Sequence, residues 1–84
     1  MAQVVLYGRK GCHLCEMVEI EIRATGRIGR GLIVVDVDRD QVLLEKYLLR
    51  IPVVTVAGKE VFEVMMMDPH GGWKERLRSV LQSP

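Results

Sequence analysis

The stretch Leu6-Tyr7-Gly8-Arg9-Lys10-Gly11-Cys12-His13-Leu14-Cys15 contains both cysteines of an 84-residue chain, spaced Cys-x-x-Cys. Val4, Val5 and Leu6 make an unbroken apolar run, which reads as a buried strand over residues 3–7. Gly8 to Gly11 is a turn. From Cys12 to Thr25 the pattern becomes helical, with Leu14, Val18 and Ile22 on one stripe, Met17 and Ile20 flanking it, and charged residues opposite. The cysteines therefore fall where a strand gives way to a helix. A thiol is a useful nucleophile only as thiolate, and the free group titrates near ~8.5. The first turn of a helix presents unpaired N–H groups and the positive end of the macrodipole, both of which favour an anion. Arg9 and Lys10 add positive charge nearby. A reactive Cys12 is physically reasonable here.

Working outward, Gly26 ends the helix and residues 27–31 read as a flexible connection. Leu32 to Val35 is a second buried strand. Asp38 or Asp40 can cap a helix running to about Leu49, with Leu43 and Tyr47 on one row and Leu44 and Leu48 on the next. Ile51 precedes Pro52 and is biased away from helix. Val53 to Val56 and Glu60 to Val64 form an antiparallel hairpin around Ala57-Gly58-Lys59. Met65 to Gly72 is a loop, and Trp73, Leu77, Val80 and Leu81 mark a closing amphipathic helix. The order β-α-β-α-β-β-α predicts a single α/β domain over residues 1–84, a four-stranded mixed sheet flanked by three helices. Its first five elements predict two successive right-handed β-α-β crossovers. Ligands of such sheets sit outside the carboxyl ends of the strands. Cys12 lies at the end of the first strand.

Composition narrows the function. With a formal charge of +1 and no basic patch interleaved with aromatics, nucleic acid and anionic membranes are not expected partners. No apolar run reaches the ~20 residues that span a bilayer, and the N-terminal residues do not read as a signal peptide. The expected location is the cytoplasm, where structural disulfides are rare and a cysteine pair is more often catalytic or metal-binding. A closed zinc site needs four ligands, and only His13, His70 and carboxylates could join the thiols.

Three segments together carry a resemblance: Leu6 through Cys15, Tyr47 through Arg50-Ile51-Pro52-Val53-Val54, and Gly58-Lys59-Glu60. With the element order, the chain resembles the glutaredoxin branch of the thioredoxin-like superfamily, and more narrowly the short glutaredoxin-like domain proteins. The resemblance implies a thioredoxin-like fold, Cys12 as attacking thiol and Cys15 as resolving thiol. It further implies a cis Ile51–Pro52 bond, with the backbone before the proline pairing with a substrate's extended chain. The chain departs from glutaredoxins in having His13 and Leu14 between the cysteines. It also has Phe62-Glu63-Val64 where that family carries a glycine pair after the fourth strand.

The expected activity is thiol–disulfide exchange on disulfides of proteins or mixed disulfides of glutathione. No bound cofactor or metal is needed, and electrons would come from glutathione or a reductase. A monomer is expected. The alternative is a non-enzymatic module that binds a partner protein or metal ion through the same face. Other residues keep two readings each. His13 either supports the thiolate or is an exposed first-turn side chain. Arg9 either holds a substrate carboxylate, as in the family, or is a solvated loop charge. Met65, Met66 and Met67 form either an adaptable rim for protein partners or core filling and exposed loop.

Overall fold

The chain runs β1 (Val4–Gly8), α1 (His13–Arg23), α2 (Arg27–Arg30), β2 (Ile33–Asp36), α3 (Gln41–Tyr47), β3 (Val53–Val56), β4 (Lys59–Phe62) and α4 (Trp73–Gln82). These elements are seen in a computed structural model that describes residues 3–82. The strands form one mixed sheet in the order β2-β1-β3-β4. β1 runs parallel to β2 and antiparallel to β3, and β3 is antiparallel to β4. This is the α/β architecture of a thioredoxin-like fold.

Alternation along the central strand splits the core in two. Val4 and Leu6 of β1 point to one face, where they join Val54, Phe62, Val18 and Ile22 of α1, and Trp73, Leu77 and Leu81 of α4. Tyr7 points to the other face, against Val37, Val53, Leu43, Leu44 and Tyr47 of α3. The Tyr7 and Tyr47 rings lie 4.7 Å apart, centroid to centroid. α4 buries residues 73, 77 and 81, one turn apart, as its sequence pattern requires.

Two successive crossovers are not what forms. The register sets Gly8 opposite Asp36 and Tyr7 opposite Val53. β2 thus ends, and β3 begins, at the same end of the sheet. The segment between them goes out and returns without crossing. Its helix, α3, has seven residues and rises about 10 Å, less than the roughly 16 Å that a five-residue strand spans. Only the β1-α1-β2 connection is a crossover.

Further differences follow from position in the sheet. β2, expected to be buried, is an edge strand, with Ile33 48% and Val34 46% exposed. In α1 the buried stripe is Cys15, Val18 and Ile22, whereas Leu14 and Ile20 are exposed. Cys12 is the N-cap of α1 and not its first turn. Residues 27–30 form a turn of helix, packed so closely that a Cβ on Gly29 would lie 2.5 Å from the Arg23 carbonyl oxygen. Asp40 caps α3 through the N–H groups of Val42 and Leu43; the helix stops at Tyr47, leaving Leu49 90% exposed. β4 starts one residue earlier and ends two earlier than expected. Its hairpin turns on Ala57 and Gly58, both at positive φ, and a 3-10 turn follows at Val64–Met66.

Trp73 is 2% exposed and its ring centroid lies 6.0 Å from that of Phe62, between the sheet and α4. Trp73→Ala is expected to destabilise the protein by about 3–5 kcal/mol in urea unfolding. A loss below ~1 kcal/mol would mean that the ring is not a principal piece of this core.

Candidate functional site

Four residues turn the chain from β1 into α1, and Gly11, at φ 80°, delivers it to Cys12. The Cys12 N–H donates to the Arg9 carbonyl at 3.3 Å, and the Cys12 carbonyl accepts from Glu16 as the first rung of α1. Cys12 has the extended backbone of an N-cap, and its Sγ accepts the Cys15 N–H at 3.2 Å. Capping is ordinarily done by an oxygen. Here a sulfur stands in that position, facing the N–H groups and dipole that stabilise an anion. Cys15, three residues on, is 6% exposed, whereas Cys12 is half-buried. The two are disulfide-bonded, with Cα atoms 5.2 Å apart. The pair therefore has one accessible and one shielded sulfur.

Gly8 closes the site from below. A Cβ at this position would lie 3.1 Å from both Cβ and Sγ of Cys15. Any larger residue at the end of β1 would crowd the second sulfur, which would have to give by a few tenths of an ångström. The sequence alone showed Gly8 only as the start of a turn.

Two depressions flank α1. One, of about 430 Å³, is lined by Gly8, Lys10, Cys15, Glu16, Val34 and Arg39 among others, and lies toward β2. The other, of about 530 Å³, lies toward the loop before α4 and is lined by Leu14, Met17, Met67, His70 and Trp73 among others. Leu14 leaves the core stripe and joins the wall of the second depression. Met67 is half-buried against the core, while Met65 is 83% exposed, so the run divides between core filling and exposed loop.

The Ile51–Pro52 peptide bond is cis, and Pro52 is buried. Because Val53 pairs with Tyr7, this bond lies at the end of β1 from which the Cys12 loop departs. Arg50 fixes the segment. Its guanidinium bonds to Glu63 at 2.7 Å and to Glu60, and its carbonyl accepts the Val64 N–H at 3.2 Å. Tyr47 donates its hydroxyl to Glu60 at 3.2 Å, and Arg50 lies over the Tyr47 ring. The bond from Arg50 holds the Glu60 carboxyl below its usual range, and the two glutamates raise the arginine. The Ile51 N–H is already used, donating to the Tyr47 carbonyl at 3.0 Å. A two-point backbone pairing through Ile51 would have to open that bond.

Arg9 is not a free cation: its Nε and Nη2 grip both carboxylate oxygens of Asp38, each at 3.2 Å. His13 is exposed as the first residue of α1, and Lys10 is exposed in the loop. Sequence reasoning did not identify Arg50, Gly8 or Asp68 as positioning residues. The only signal for Arg50 was the two acids on the facing hairpin. Asp68 accepts N–H bonds from His70, Gly72 and Trp73, and pairs with Arg76 at 3.0 Å, so it anchors the loop that leads into α4. Among the described residues, no three His, Cys, Asp or Glu side chains converge on a point where they could hold a metal ion. Nor is any described helix long and apolar enough to cross a membrane.

The sequence profile of the family described as Glutaredoxin-like domain (DUF836) matches residues 3–82. Comparison with curated proteins and with solved structures gave no match.

Two outcomes test this geometry. Gly8→Ala is expected to press on Cys15, lower the Tm and slow closure of the Cys12–Cys15 disulfide in stopped-flow oxidation; unchanged closure would mean that the sulfur has room. The second concerns acid. The Gly72 N–H foremost, with those of Trp73 and His70 and the charge of Arg76, holds the Asp68 carboxyl below its usual range, despite some desolvation. A folded-state value below the unfolded one stabilises the protein above the unfolded pKa, and the gain disappears as pH falls through the folded value. Asp68→Asn should therefore lower the Tm at neutral pH and reduce the further fall in Tm on acidification, measured by thermal unfolding at several pH values.

Proposed function

This chain belongs to the glutaredoxin-like domain family, and from that premise we propose that it is a thiol–disulfide oxidoreductase working through Cys12 and Cys15. The observation that carries the reading is the placement of the pair. Cys12 caps α1 and is the more accessible sulfur, and Cys15 lies bonded to it, buried against Gly8.

In the reduced protein the Cys12 thiolate attacks one sulfur of a substrate disulfide. That S–S bond breaks, a Cys12–substrate mixed disulfide forms, and the other substrate sulfur leaves as thiolate and takes up a proton. Cys15 then loses its proton and attacks Cys12 Sγ. The mixed disulfide breaks, the second substrate thiol departs, and the Cys12–Cys15 disulfide is left. Two electrons have passed from the dithiol to the substrate. Two molecules of glutathione, or a dithiol reductase, return them. Burial keeps the Cys15 thiol protonated and unreactive until the mixed disulfide brings a target within reach.

Helix-mouth geometry supports the first step, because it favours thiolate over thiol at Cys12 by the same means that favours any anion there. Disulfides of proteins and mixed disulfides of glutathione are the substrates in this reading. The cis Ile51–Pro52 segment and Arg9 serve as the substrate-facing rim, and His13 tunes the thiolate. No bound cofactor takes part. The cytoplasm is the setting that suits a pair able to cycle in this way.

Cys12→Ser is expected to abolish turnover of a protein disulfide or a glutathione mixed disulfide; retained turnover would overturn the assignment. Cys15→Ser should still attack but stop at the mixed disulfide, seen by mass spectrometry as a covalent adduct on Cys12. Thiolate absorbance against pH in the two single variants should place Cys12 well below the ordinary ~8.5 and leave Cys15 at or above it.

A further inference from the structure

The sulfur withheld from the surface has a small entrance of its own. The depression of about 430 Å³ that lies toward β2 has Cys15 in its wall, and not Cys12. Its volume falls within the roughly 300–1,000 Å³ of small-molecule sites. Gly8 lines it as well, at the position where a Cβ would stand 3.1 Å from the Cys15 Sγ. With no side chain there, residue 8 does not screen the sulfur from the depression. Another part of the wall is Val34, on the edge strand, in register with Leu6 and 46% exposed. A space of this size admits a small molecule and not a folded protein.

The chemistry ranks the two sulfurs in the opposite sense from their exposure. A thiolate that opens a disulfide bonds to one sulfur and expels the other, and expulsion is faster the lower the pKa of the departing thiol. Attack on Cys12 would expel Cys15 as an anion into surroundings that leave it 6% exposed, where desolvation opposes charge. Attack on Cys15 expels Cys12, whose Sγ caps α1 and already accepts the Cys15 N–H at 3.2 Å. The helix mouth favours an anion there. Cys12 is therefore the better leaving group and Cys15 the better target.

We propose that small monothiols enter the depression beside β2 and open the oxidised pair at Cys15. The incoming thiolate bonds to Cys15 Sγ, the Cys12–Cys15 bond breaks, and its electron pair leaves on Cys12 as thiolate. A second thiolate then attacks the sulfur of the first and releases it as a disulfide, while Cys15 departs and takes up a proton. Two thiols are oxidised and the dithiol is restored. Either order of attack expels Cys15 once; the site selects which sulfur is opened first. Arg9, Lys10 and Arg39 share the wall with Glu16, Glu19 and Asp36, so it carries no excess of either sign and suits a neutral or zwitterionic thiol. This inference rests on the redox reading of the pair and adds which sulfur receives the reductant.

Peptide mapping tests it. The oxidised wild-type protein is mixed with 2-mercaptoethanol, quenched within seconds by excess N-ethylmaleimide, and digested. Tandem mass spectrometry of the peptide of residues 11–23 then locates both groups. The mercaptoethanol adduct is expected on Cys15 and the maleimide on Cys12, in roughly tenfold excess over the reverse arrangement. The reverse arrangement, or an even mixture, overturns the proposal. Val34→Phe, which narrows the depression, should slow opening by 2-mercaptoethanol several-fold, and Val34→Ala should not. Opening at the wild-type rate in a folded Val34→Phe protein overturns the depression as the route. Should that variant misfold by circular dichroism, the adduct position in the wild type still decides. The redox reading fails separately, through turnover retained by Cys12→Ser; an active protein that carries its adduct on Cys12 overturns this proposal alone.

Discussion

The antiparallel pairing of β3 with β1 is the constraint on which the rest of this structure depends. Setting Val53 opposite Tyr7 brings the start of β3 to the end of β1, where β2 also finishes. Three features far apart in sequence then share one end of the sheet: the Cys12 loop, the 3-10 turn Val37–Arg39 that follows β2, and the cis Ile51–Pro52 bond. Had β3 run parallel to β1, the proline would lie a strand's length away from the cysteines. The expectation of a second crossover and the expectation of a proline beside the attacking sulfur could not both hold. The short α3 decides between them.

Around that end the site is held by complementary devices. A helix N-terminus faces the accessible sulfur, and a glycine beneath the buried one allows it to approach the sheet. Arg50, bound by two glutamates and an aromatic ring, ties the segment before the proline to β4 and the residue beyond it. These groups are partly exposed, and exposed ion pairs contribute little stability singly. Their value lies in fixing a geometry through several bonds at once. One sulfur is presented, the other withheld, and the loop opposite is fixed in place.

Much of this was legible in the chain. The Cys-x-x-Cys after an apolar run placed the cysteines at a strand-to-helix junction because local periodicity changes there from one conformation to the other. Every strand and each longer helix was also visible, since each carries its own apolar pattern. The exposed edge was not. A continuous apolar run looks the same whether a strand lies inside a sheet or at its margin, and only strand order distinguishes the two. For the same reason Leu14 looked like core: it shares a stripe with Val18 and Ile22, yet lies one turn beyond the region that α4 and the sheet cover.

By itself the sequence determined the spacing of the two cysteines at a strand-to-helix junction and the apolar stripes that become helices and strands. These are local matters, governed by side-chain chemistry and backbone sterics within a few residues. Tertiary structure decided the direction of β3, the exposure of β2, the burial of Cys15 relative to Cys12, and the grip of Glu60 and Glu63 on Arg50. Each depends on which segments become neighbours, and that is set by the summed burial of the two cores, which no local stretch of sequence contains.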